Sequence, residues 1–229
     1  MTAAADAQLA LMAWLSPSFP VGAFAYSHGL EAAQHSGRVT DPGSLESWLT
    51  DLARRGSLWN DLCLLVAAQR AAVARDFAGL VEVNSLAIAL AGGAERRLET
   101  TAQGRAFLAV ASASWGTGVL AAWQRLYGSE PLAYPVAVAL AAAAHGIPGP
   151  AVVPAYAFAW LQNIASAATR LGIIGQTETQ RMLARLARCL PALAEQALAA
   201  TAEQLGGCAL CAEIDAFQHE TQYTRLFRT

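Results

Sequence analysis

The chain has 229 residues, enough for one full hydrophobic core, and no Pro/Gly/Ser-rich linker or charge run divides it. A formal net charge of -2 without a basic stripe excludes the counterion-releasing footprint of a nucleic-acid binder. All fifteen basic residues are Arg, so neither a phosphate loop with its Lys nor a Schiff-base enzyme can be built from this chain.

Alanine, the best intrinsic helix former, dominates, and β-branched residues are scattered, which predicts an all-α, single compact domain (residues 1–229) of about eight to ten helices. In the opening MTAAADAQLALMAWL, Leu9 and Met12 sit at helical spacing over residues 6–15, and Pro17 and Pro20 stop that helix. An acidic residue and no Arg precede the apolar stretch, the wrong order for a secretory signal, and four cysteines in a chain this long fit a reducing cytoplasm. After Gly22 a helix is predicted through His35. Asp41-Pro42 reads as an N-cap with proline at the first helical position, launching a helix with Leu45, Trp48, Leu49 and Leu52 inward and ending near Gly56.

Leu58, Leu62, Leu65, Val66 and Val73 mark the apolar face of the next helix, and another runs from Phe77 to about Ala91. Glu95 to Tyr127 reads as one long helix in which Gly104, Gly116 and Gly118 are weak points that permit close helix approach. Residues 131–169 carry no formally charged side chain. HGIPGP cuts them into pieces shorter than the roughly 20 residues of a membrane span, which favours buried central helices over a membrane hairpin. Thr177 to about Gly206 is amphipathic, with Leu183, Leu186, Leu190 and Leu193 on one face and Pro191 as a kink. Residues 213–229 are more polar and aromatic, the composition of a flexible C-terminal tail ordered on docking to a partner.

No hydrolytic template is present: Ser27 and His28 are sequence neighbours that diverge on a helix, and no H-E-x-x-H or carboxylate dyad appears. His145 falls in a turn and His35 at a helix end. Cys208 and Cys211 form an isolated C-x-x-C pair with His219 as the nearest His. A redox or metal-dependent enzyme built on these three is the alternative to a non-catalytic reading without cofactor or metal. Only 14% of residues are charged against roughly 25% in an average domain, a depletion that predicts permanent interfaces.

Two segments are chemically dense. SPSFPVGAFAYSHGLE (16–31) runs a rigid aromatic turn with Phe19, Pro20, Gly22 and Tyr26 into Ser27, Gly29, Leu30 and Glu31. HETQYTRLF (219–227) interleaves His219, Glu220, Tyr223, Arg225, Leu226 and Phe227, and Tyr, Arg and Phe are residues that anchor interfaces.

Together with RLGIIGQTETQRML (170–183), which holds Arg170, Gly175 and Gln176, these segments resemble the UreF family of urease accessory proteins in order and spacing over essentially the whole chain. The resemblance implies an all-helical cytoplasmic homodimer, not itself an enzyme, that bridges UreD (also called UreH) and the GTPase UreG. The complex docks on apo-urease and couples GTP hydrolysis to nickel delivery. By the same resemblance, partner contacts fall on Tyr26 and on His219, Glu220, Tyr223, Arg225, Leu226 and Phe227, the C-terminal ones for UreD. Arg225 is either an interface residue or an arginine finger for UreG. The chain departs from the family pattern at Pro17, Thr179 and Phe217-Gln218, which bears on local contacts only.

Overall fold

In the computed structural model, which describes residues 3–229, the Ala-rich chain forms twelve α-helices and two 3-10 turns, with no strand among the described residues. In chain order the helices are α1 (Ala3–Trp14), α2 (Leu30–His35), α3 (Pro42–Arg55), α4 (Ser57–Val73), α5 (Phe77–Leu90) and α6 (Gly93–Ser114). They continue as α7 (Gly118–Tyr127), α8 (Tyr134–Ala144), α9 (Gly149–Arg170), α10 (Gln176–Ala187), α11 (Leu190–Ala199) and α12 (Leu210–Glu220).

Local chemistry sets the boundaries. At α3, Asp41 Oδ1 accepts from the Ser44 amide at 2.9 Å while Ser44 Oγ accepts from the Asp41 amide at 3.1 Å, and Pro42 needs no amide partner. Asp76 caps α5 through the Gly79 amide (2.9 Å), and Thr117 caps α7 through the Leu120 amide (3.3 Å).

The count exceeds the eight to ten expected because two predicted helices are divided and α12 forms where a tail was expected, and a third predicted helix starts later than expected. The 95–127 helix stops at Ser114, where Thr117 turns extended and starts a new helix. The amphipathic element from Thr177 divides at Cys189, where Pro191 begins α11 instead of kinking one long helix. The stretch after Gly22 is a 3-10 turn over Ala23–Ala25, an extended Tyr26, and two left-handed residues, His28 (φ 58°) and Gly29 (φ 81°), before α2 begins.

The charge-free stretch occupies the centre. From Pro135 to Ala142 every residue of α8 is buried, with α4, α5, α6 and α7 packed around it. A helix apolar all round belongs in a core. The second apolar piece is α9, which packs against α3, α4, α10 and α11. No helix among the described residues is long and apolar enough to cross a membrane. Gly104 lets α6 close on the backbone entering α8: a Cβ there would collide with the Leu132 carbonyl.

The structure does not show residues 213–229 as a flexible tail. Residues through Glu220 continue α12, and the chain after it folds back over α2 and α6, with Phe227 and Thr229 buried. The polarity read as disorder is that of side chains pairing with charged partners far away in sequence.

Candidate functional site

The first and last dense segments, nearly 200 residues apart in sequence, meet in one place. Glu31, buried in the first turn of α2, directs both carboxylate oxygens at the end of the chain. Its Oε1 accepts from the Leu226 amide at 2.7 Å and its Oε2 from the Phe227 amide at 2.9 Å. On either side of these bonds the Arg228 amide donates to the Ala25 carbonyl (2.8 Å) and the Ser27 amide to the Thr229 main-chain oxygen (2.9 Å). The Ser27 hydroxyl donates to that same oxygen. Arg170, from the middle motif, donates to the Phe24 carbonyl at 2.6 Å and lies 4.4 Å over the Phe227 ring. All three motifs that carry the family resemblance therefore touch.

The geometry rests on the irregular turn after Gly22. Gly29 has a positive φ, and a Cβ on it would stand 2.8 Å from the Ala216 amide nitrogen of α12, so only glycine lets α2 and α12 pack this closely. With α12 drawn in, His219 becomes fully buried between two carboxylates: Nδ1 lies 2.7 Å from Glu95 and Nε2 3.2 Å from Glu31. Glu95 also pairs with Arg225. Glu220 turns the other way and accepts from the Ala94 amide at 2.6 Å, occupying the start of α6 where unpaired amides favour an anion.

Beneath this layer lies a second polar cluster. Trp160 Nε1 donates to His28 Nε2 at 2.7 Å, so the His28 proton sits on Nδ1, facing Glu99 at 2.9 Å. Burial, reinforced by Arg96, lowers the His28 pKa and keeps the ring neutral. Burial alone would raise the Glu99 carboxyl, but Arg96 and His28 outweigh it and bring it down to about 2. Glu99 also accepts from Gln103 (3.1 Å) and from the Thr229 hydroxyl (3.1 Å), which ties the end of the chain to the core. Asp61 accepts from the Tyr156 hydroxyl at 2.9 Å, and burial lifts its carboxyl to about 6 against the pull of Arg96.

The residues singled out from sequence divide into two groups. Tyr26, Ser27, Gly29, Leu30, Glu31, His219 and Phe227 are buried and hold the segment in place; Glu220 and Phe19 are half-buried, Phe19 against Phe107. Tyr223 (102% exposed) and Leu226 (63%) point outward with Arg225. Pro20 and Gly22 shape the turn before Tyr26, while Gly175 and Gln176 start α10 on the exposed surface and make no contact of this kind. Cys208 and Cys211 are exposed free thiols, His219 spends both ring nitrogens on carboxylates, and no metal-holding cluster occurs among the described residues. The alternative site of two cysteines and a histidine is therefore not assembled. His145 caps the end of α8 with its ring against Trp14, and His35 is exposed at the end of α2.

Sequence reasoning missed Arg96, Glu99 and Asp61. Their signal was present: Arg96, Glu99 and Gln103 repeat at the 3–4 spacing of the face that also carries Phe107, so polar side chains occupy positions the periodicity assigns to the core.

The UreF family model matches residues 39–187. A urease accessory protein UreF from Methylobacterium radiotolerans is 50% identical over 222 residues, 96% of each chain. One from Azorhizobium caulinodans is 49% identical over 228 residues, covering 100% of this chain and 98% of its own. With half its residues shared over nearly its full length, and with its first, middle and last motifs gathered at one site, the chain belongs to the UreF family of urease accessory proteins.

Proposed function

We propose that the chain is a non-catalytic adaptor for urease maturation, a cytoplasmic homodimer that bridges UreD (UreH) and the GTPase UreG. In this reading the complex docks on apo-urease and supports GTP-dependent nickel insertion. The observation that carries it is the C-terminal segment itself. A surface strand of chain held by buried carboxylates, yet turning Tyr223 and Leu226 into solvent, has the form of a presented epitope. The uncharged outer face of α12, with Leu210, Ile214 and Phe217 exposed at successive turns, extends the same surface. The lack of any Lys in the chain agrees with nucleotide chemistry lying on the partner GTPase. Arg225 serves the interface by holding Glu95, a structural use that fits it better than the role of an arginine finger.

The test is co-purification of the full chain with tagged UreD and UreG, beside a Tyr223→Ala, Leu226→Ala double variant. Both changes lie on the surface and leave the core contacts intact, so the variant is expected to keep its circular dichroism and lose most UreD capture. A folded wild-type chain that captures neither partner refutes the adaptor reading. Equal capture by the double variant moves the UreD contact away from the segment.

A further inference from the structure

We propose that Cys208 and Cys211 form a reversible disulfide site, closed by a small-molecule disulfide of the glutathione class, and that the closed bond holds the first turn of α12. The proposal goes beyond the adaptor reading and does not depend on any partner. Both thiols are free and exposed.

The chain leading into the pair is anchored. Asn60, buried on α4, donates through Nδ2 to the Gly207 carbonyl at 2.9 Å and accepts from the Gly206 amide at 3.1 Å. Gly207 lies so close to α3 that a Cβ on it would stand 2.6 Å from the Arg55 carbonyl oxygen. Beyond this point Ala209 and Ala212 are buried, whereas Cys208 and Cys211, each one position earlier, are exposed. The two thiols therefore lie on the outer side of the entry to α12, three positions apart, where a dissolved disulfide reaches them.

The helix that follows starts weakly. It has 11 residues, fewer than the roughly 12–15 at which an isolated helix holds in water, and its N-cap, Ala209, supplies no side-chain acceptor. Ala209 stands outside the helical region, at φ -88° and ψ 79°. A disulfide sets its α-carbons about 4.4–6.8 Å apart, and residues three apart in a helix are separated by about 5 Å. The bond and a helical turn over residues 208–211 thus require the same spacing. Closing the bond draws Ala209 into the helix and fixes the costly nucleus. The anchored Gly207 then lies on one side of that turn and the exposed Leu210, Ile214 and Phe217 on the other.

The exchange balances in two steps. One thiolate of the pair attacks a sulfur of the small disulfide, forming a mixed disulfide and expelling one small thiolate. The thiolate of the other cysteine attacks the protein sulfur of that mixed bond, which closes the bond between Cys208 and Cys211 and expels the second small thiolate. The two cysteines lose two electrons and two protons, and the oxidant is reduced to two thiols. Excess reduced thiol drives both steps backward, so in a reducing compartment the bond is transient.

The test holds the full chain in equal concentrations of oxidised and reduced glutathione, quenches it with acid and cuts it after glutamate, which separates residues 204–213 from residues 179–195. By mass, the 204–213 peptide is expected to lack two hydrogens and carry no glutathione, while exposed Cys189, with no cysteine near it in sequence, carries one. In Cys208→Ser the closing step is blocked and glutathione stays on Cys211. Amides over residues 212–216 are expected to exchange about tenfold more slowly in the oxidised chain than in the reduced one. A Cys208→Ser, Cys211→Ser double variant keeps the reduced rate with or without oxidant. Glutathione retained on both cysteines, or a pair still reduced where Cys189 has reacted, overturns the site. A closed bond that leaves the exchange of α12 unchanged overturns its hold on the helix.

Discussion

At the scale of single residues, the buried ionisable groups divide by the sign of their effect. Glu99 is held near 2 and His28 is held neutral, so the unfolded chain binds more protons than the native one as pH falls. The stability they supply is present above the ordinary values of these groups and is lost on acidification. Asp61 does the opposite. With its carboxyl lifted to about 6, the native state binds the extra proton between roughly pH 4 and that value, and ionisation above it costs stability. Asp61→Asn retains an oxygen for the Tyr156 hydroxyl and is expected to stabilise the chain above pH 6 by up to about 2 kcal/mol. The gain shrinks to nothing toward pH 4, and urea unfolding at several pH values checks it. Equal stabilisation at pH 4 and pH 8 would show that packing, not charge, is responsible. These groups escaped the sequence reading because a charged residue at an apolar register position looks like noise until its partner from another helix is known. Nothing local to Glu99 names His28.

At the scale of elements, what was legible followed local rules. The Asp41-Pro42 start, the Gly56 boundary, the buried apolar helices on either side of HGIPGP and the buried Leu183 and Leu186 face of α10 all follow from caps, prolines and periodicity. What was not legible depended on tertiary contact. A left-handed His28 is maintained by Trp160 and Glu99, and the segment after α12 by Glu31, partners that periodicity does not register. The glycines also exert their effect at this scale. Gly104→Ala places a methyl group against the Leu132 carbonyl in a backbone that has no slack, since Leu132 and Ala133 are themselves buried. The expected cost is about 3 kcal/mol or more, read as a lower urea midpoint, whereas Gly118→Ala, with open space around its Cβ, is expected to change stability by less than about 1 kcal/mol.

At the scale of the whole molecule, the low charge content and the Ala bias were sufficient to specify an all-helical body with α8 at its centre. They could not show that the turn at residues 25–31 and the last residues, 226–229, close on each other. A terminal segment is ordinarily dispensable to the core. Here removing residues 221–229 strips partners from Glu31, Ser27, Glu95 and Glu99 and uncovers the site of Phe227. The expected result is a folded, helical chain whose thermal midpoint drops by about 5–10 °C. An unchanged midpoint would mean that the docked segment contributes nothing to global stability.

The bond between Ser27 and Thr229 spans 202 positions of sequence. At ribosomal rates of roughly 5–20 residues per second, a chain under synthesis waits about 10–40 s between the emergence of one partner and the other. During that interval the Glu31 and Glu99 carboxylates stand without their last donors, and the turn around His28 has nothing to close upon. The turn at residues 25–31 thus closes on residues 226–229 only after the helices that lie between them in sequence have been made.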